Sequence, residues 1–197
     1  RRRNYRAISA QSLFLKKSIN MKSFNQELKS ALVAEIRKHR EQDQVIQGAY
    51  GTYEKGKFRG CAVGCAIHSL ADMTGTFLVT KDHGIYELKL GIPRILAELQ
   101  DLIHEGLSDE SFPTWPERFM EAVPTETELS KVWPGFTIWL IGDFLAEKQR
   151  IVVEQNRAYM NKLMRAAANS SGIEIKEQFY EKCAEKLIEL LRAEGNE

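Results

Sequence analysis

Apolar residues recur at helical spacing through most of this sequence, and that periodicity restricts the chain to a mainly α fold more than any other feature does. Phe24, Leu28, Leu32 and Ile36 fall every four residues, on one face of a helix over about 24–42. Ile92, Ile95, Leu96, Leu99, Leu102 and Ile103 form a second stripe, entered at Pro93 and stopped at Gly106. Phe136, Trp139, Leu140 and Phe144 share a third face. In the tail, Tyr159, Leu163 and Met164 mark one amphipathic pattern. Phe179, Cys183, Leu187, Leu190 and Leu191 mark another, and the two join at Ser170-Ser171-Gly172. Ser23–Gln26, Thr114–Glu117, Thr125–Glu128 and Ser171–Glu174 fit capping boxes, in which the first side chain satisfies an exposed backbone N–H of a new helix. The helix after Thr125 is expected to begin near Glu126 and to break at Trp133-Pro134, where proline removes a donor.

Strand signals are scarce. Thr76–Thr80 is the one convincing run, so a small irregular or β element is expected near 74–82. Residues 47–60 hold four glycines and read as a loop or a loose hairpin. The expected architecture is a compact multi-helix domain with two C-terminal amphipathic helices. A basic N-terminal extension would cover 1–20, a helical core domain 21–147, and a C-terminal helical pair packing on the core 148–197.

Composition narrows the function classes. At 197 residues, 43% hydrophobic and 28% charged, the chain can bury a core. The apolar run from Phe136 to Leu145 is broken by Gly142 and Asp143, short of the ~18–20 residues needed to cross a bilayer, so no membrane association is expected. The cysteines are Cys61, Cys65 and Cys183, an odd and low count that suits a reducing cytoplasm better than a disulfide framework. The net charge of +1 divides into +6 over residues 1–20 and −5 over the rest. Nucleic-acid contact is therefore expected only through the basic tail, because phosphate binding needs a concentrated basic face. Residues 87–128 carry ten acids against three bases, which suits either a solvated face or a surface for a basic protein partner.

Two segments carry chemistry-bearing spacing. Gly51-Thr-Tyr-Glu-Lys-Gly56-Lys57 matches a phosphate-binding loop, but Phe58 stands where the Mg²⁺-binding hydroxyl belongs. The second is Gly60-Cys61-Ala-Val-Gly64-Cys65-Ala-Ile-His68-Ser-Leu-Ala-Asp72. On one straight helix, positions 61 and 72 would lie about 16 Å apart at ~1.5 Å per residue, too far to share an ion. A zinc site would instead take Cys61 from the glycine-flanked loop and Cys65 and His68 from the first turn. His83 or Asp82 would come from the next loop. The same residues suit a thiolate activated at a helix N-terminus with a histidine base. They equally suit cysteines packed as small buried apolar groups. His39 is expected to face solvent, His104 to sit at a helix C-terminus, and Trp115, Phe119, Trp133, Phe136 and Trp139 to be core.

Gly60-Cys-Ala-Val-Gly-Cys65, Leu90-Gly-Ile-Pro93 with Leu96, Leu99 and Asp101-x-Ile103-x-Glu105-Gly-Leu107, Trp115-Pro-x-x-Phe119, Ala122-Val-Pro124 and Val132-Trp-Pro134 occur in that order. Together they resemble an uncharacterised family of bacterial and phage-encoded proteins over residues 45–145. The resemblance implies a cytoplasmic protein of bacterial or phage origin. It transfers no activity, cofactor or catalytic residue.

Two functions follow as expectations. The first is a non-enzymatic binding or regulatory protein, either without a metal or with a structural metal, zinc being the candidate, at Cys61, Cys65, His68 and His83. The second is a small zinc- or cysteine-dependent hydrolase using that cluster. A structural site would be closed by four protein ligands, whereas a catalytic one would open into a cleft.

Overall fold

The structure is a computed structural model and describes residues 24–144 and 173–195. The described chain is mainly helical. Its elements are α1 (Gln26–Glu41), the hairpin β1 (Thr52–Glu54) and β2 (Lys57–Arg59), α2 (Ala62–Thr74), α3 (Gly84–Leu90), α4 (Arg94–His104), α5 (Trp115–Ala122), α6 (Val132–Phe144) and α7 (Ile173–Glu194). The basic segment 1–20, the amphipathic pattern around Tyr159–Met164, its junction at 170–172 and the cap residue Ser171 lie outside the described residues.

The helical stripes become the core. Leu28, Leu32 and Ile36 bury one face of α1, and Leu96, Leu99 and Ile103 bury one face of α4. Trp115, Phe119 and Phe136 are fully buried. The Trp115 indole Nε1 donates to Gln100 O at 3.0 Å, so its polar end is satisfied. Helix α1 packs on α2 and α5, α2 on α4 and α5, and α7 on α4, α5 and α6. Phe179, Cys183, Leu187 and Leu191 form the buried face of α7, so this tail helix covers its stripe on the body of the chain.

Three helix starts differ from the capping-box reading. The N-cap of α1 is Asn25, whose Oδ1 accepts from Leu28 N at 2.9 Å, while Gln26 bonds Ser30 instead of reaching back. Thr114 does precede α5, but its φ of −89° and ψ of −17° are helical, so its hydroxyl donates back to Ser111 O. No helix begins at Glu126, which has a φ of +56° and donates its N–H to Phe24 O. Helix α6 starts at Val132, and Pro134 sits in its first turn rather than breaking it. The proline's missing N–H would have had no helical partner there.

The element expected near 74–82 takes the irregular form, and the strands lie elsewhere. Residues 76–79 are irregular and follow Gly75, which caps α2 with a φ of +66°. The strands come from the glycine-rich segment, paired antiparallel as Thr52↔Arg59, Tyr53↔Phe58 and Glu54↔Lys57. Lys55 and Gly56 form the two-residue turn with φ of +50° and +81°. Two successive positive φ values make this a primed turn, which matches the twist of the strands. The phosphate-loop spacing at 51–57 is thus the tip of a hairpin, with Phe58 buried beneath it.

Candidate functional site

The hairpin returns the chain so that Gly60 and Cys61 are clamped by backbone. Gly60 N donates to Gln44 O and Ile46 N to Gly60 O, both at 2.9 Å, and Cys61 N donates to Ala49 O at 2.7 Å. Gly64 completes the clamp. The Tyr50 carbonyl lies so close over α2 that a Cβ at Gly64 would overlap it. These contacts fix the 48–50 segment above Cys61, which is the N-cap residue of α2. Helix α4 supplies the opposite wall, where Asp101 and Glu105 are one turn apart.

The result is a cleft of about 320 Å³ lined by Tyr50, Cys61, His83, Glu98, Asp101 and Glu105 among others, with no lysine or arginine in its lining. Cys61 Sγ and one carboxylate oxygen each of Asp101 and Glu105 lie within 4.8 Å of one another. Cys61 and Asp101 are buried and Glu105 is exposed. Tyr50 OH donates to Asp101 Oδ2 at 3.0 Å, and His83 Nε2 lies 3.4 Å from the same oxygen. The Tyr50 and His83 rings meet edge to face at 5.6 Å. Asp101 is only 9% exposed, and its Oδ1 is buried without a hydrogen-bond partner.

The electrostatics centre on Asp101. Burial alone would raise its carboxyl, but the hydrogen bonds it accepts from His83, Cys61 and Tyr50 hold it below the usual range. Burial, reinforced by the Asp101 charge, pushes the Cys61 thiol well up, so the helix N-terminus does not make it a thiolate at neutral pH. Glu105 is also raised: its partial desolvation outweighs an opposing hydrogen bond from Gly48 N at 2.7 Å, and the Asp101 charge adds to the rise. An Asp101 carboxylate held ionised beside a Cys61 thiol and a Glu105 carboxyl that are both raised is an environment that a cation relieves.

The four residues singled out from sequence divide between two surroundings. Cys61 and His83 meet in the cleft through Asp101. Cys65 is fully buried, its Sγ donates to Gly60 O at 3.2 Å, and it packs with Val45, Phe58 and Phe112. His68 stacks on Phe58 at 3.9 Å, with Nδ1 3.6 Å from Asp72 Oδ2. Asp82 is occupied locally, accepting from Gly84 N. His39 is 7% exposed, not solvent-facing. Its ring is held between Gln44 and Ser69 because the last turn of α1 lies on α2.

Tyr50, Asp101 and Glu105 are the cleft residues that sequence reasoning passed over. The signal for the acids was a carboxylate at 101, inside an apolar stripe, repeated one turn later at 105. No protein-family model, no curated protein and no solved structure matches the chain.

Proposed function

We propose that this chain is a binding protein for a divalent transition metal of the zinc type, held by Cys61, Asp101 and Glu105 with His83 beside them. The observation that carries this reading is the convergence of three ligand atoms within 4.8 Å at the base of a cleft, one of them next to the unpartnered Asp101 Oδ1. A tetrahedral zinc spaces its ligands roughly 3.3–3.8 Å apart, so small side-chain rotations would close the set. Mixed thiolate and carboxylate donors suit zinc better than calcium or magnesium, which take oxygen alone. Tyr50 and His83 both engage Asp101 Oδ2, which leaves Oδ1 to the metal and orients the carboxylate, as outer partners of metal ligands do.

The open mouth of the cleft favours a second reading, metal-assisted hydrolysis. Three protein ligands leave one position for water, which a bound zinc would acidify. A thiolate-dependent hydrolase is less well supported, because the Cys61 thiol is held protonated by burial and by Asp101.

The test is zinc content and calorimetric zinc titration of the full chain without a metal-binding tag, with Cys61→Ser, Asp101→Asn and Cys65→Ser. About one zinc per chain is expected, retained in Cys65→Ser and lost or weakened about 10–100-fold or more in the other two. Cobalt substitution should give a sulfur-to-metal charge-transfer band that vanishes in Cys61→Ser. Absence of zinc from the unaltered chain, or a band that survives Cys61→Ser, sinks the reading.

A further inference from the structure

A larger pocket of about 520 Å³ opens between the hairpin and the 75–80 segment, and it shares no lining residue with the Cys61 cleft. Its walls are aromatic. Phe58 and His68 stack with ring planes 16° apart. Tyr53 stands across both, at 73° to Phe58 and 62° to His68, with centroids 5.7 and 6.3 Å away. Rings set near a right angle form a corner rather than a closed stack. Phe77 lines the same pocket from the loop. Tyr53 touches Phe58 and His68, with its hydroxyl 3.4 Å from His68 Nε2, yet it stays 67% exposed, and Phe77 is 91% exposed, so the chain leaves most of both rings uncovered. Asp72 adds a carboxylate to the lining with its side chain 73% exposed, and no lysine or arginine lines the pocket.

We propose that this pocket binds an alkylammonium head group, held against the faces of Tyr53 and Phe77 with Asp72 as counter-ion. Aromatic faces carry the negative side of the ring quadrupole and attract a cation, most strongly one that sheds little hydration. The Asp72 charge complements it, and no lining lysine or arginine opposes it. A phosphate- or carboxylate-bearing ligand would find no such cationic partner in these walls. The site stands apart from any metal at Cys61, and its test does not depend on that reading.

The experiment titrates the full chain with choline and with its neutral isostere 3,3-dimethylbutan-1-ol, followed by heteronuclear NMR. Choline should bind about tenfold more tightly than the alcohol. Tyr53→Ala and Phe77→Ala, at exposed positions where thermal unfolding should be unchanged, are expected to abolish that preference. Asp72→Asn should weaken choline and leave the alcohol unaffected. A peptide bearing one trimethyllysine, titrated in parallel, separates the sources: tighter binding than choline assigns a protein-borne head group, weaker binding a free one. Equal affinity for choline and the alcohol, no binding by any probe, or a preference that survives both aromatic substitutions overturns the proposal.

Discussion

Gly64 shows how much one missing atom decides. Its place in Gly-Cys-Ala-Val-Gly-Cys reads as part of a cysteine motif, yet its role is to admit the Tyr50 carbonyl against α2. Gly64→Ala should therefore cost about 3 kcal/mol or more of stability, since the clash is with backbone and cannot be relieved by a rotamer change. Chemical denaturation of this variant beside Ala66→Gly would check it; a loss below that of the second variant contradicts the clash. Cys61 was legible because cysteine beside glycine at a helix start is distinctive. Asp101 was not, because sequence periodicity assigns a face but not which residue of that face meets a cleft. The raised Cys61 thiol sets a sign for metal binding. Zinc must displace that proton, so zinc affinity should climb with pH by about tenfold per unit near neutrality. Calorimetry at two pH values in buffers of matched metal affinity would reveal it, and a flat profile would exclude the thiol as ligand.

Helix stripes translated almost directly into elements, because a buried face needs only the spacing of its apolar residues. Starts were harder to read. Thr125 and Glu128 have the residue types of a capping box, but the chain uses that stretch to turn back to Phe24, and α6 waits until a proline is tolerated in its first turn. The four glycines of 47–60 marked a loop or loose hairpin but not its register, because strands of three residues are too short to show alternation. Its turn holds Lys55 at a φ of +50°, where asparagine is preferred before glycine. Lys55→Asn should stabilise the chain by about 0.5 kcal/mol, read as a raised melting temperature; a lowered one would mean that the lysine serves a contact. Gly106 follows the end of α4, as its sequence reading as a helix stop implies, and serves a second purpose. The Tyr180 ring of α7 rests where its Cβ would be. Gly106→Ala should destabilise by about 1–3 kcal/mol. Amide exchange should show the loss concentrated in residues 179–191, and uniform loss across the molecule would point to α4 instead.

At the scale of the whole molecule, two buried histidines tie folding to pH. Burial lowers the pKa of both His39 and His104 from 6.5. His39 sits among Gln44, Ser69, His68, Glu35 and Asp72, and His104 donates through Nε2 to Ile46 O at 3.0 Å. The unfolded chain binds protons at these sites before the folded chain does. Their contribution is thus fully present above about pH 6.5 and is lost as pH falls through the lowered folded values. Urea midpoints should fall between about pH 7 and pH 5, and His39→Gln should flatten that slope; an unchanged slope would assign the acid sensitivity to other groups. No helix among the described residues is long and apolar enough to cross a membrane. All three thiols of the chain are buried, in three different neighbourhoods: Cys61 under the 48–50 segment, Cys65 behind the hairpin and Cys183 on the buried face of α7. The molecule therefore carries its own set of clocks. Cys65 and Cys183 react with a small disulfide reagent only when their cover lifts, whereas Cys61 is approached through the cleft. The two slower labelling rates resolved by mass spectrometry would therefore time the opening of the hairpin and the tail helix separately. Equal rates for these two would mean that the chain opens only as one cooperative unit.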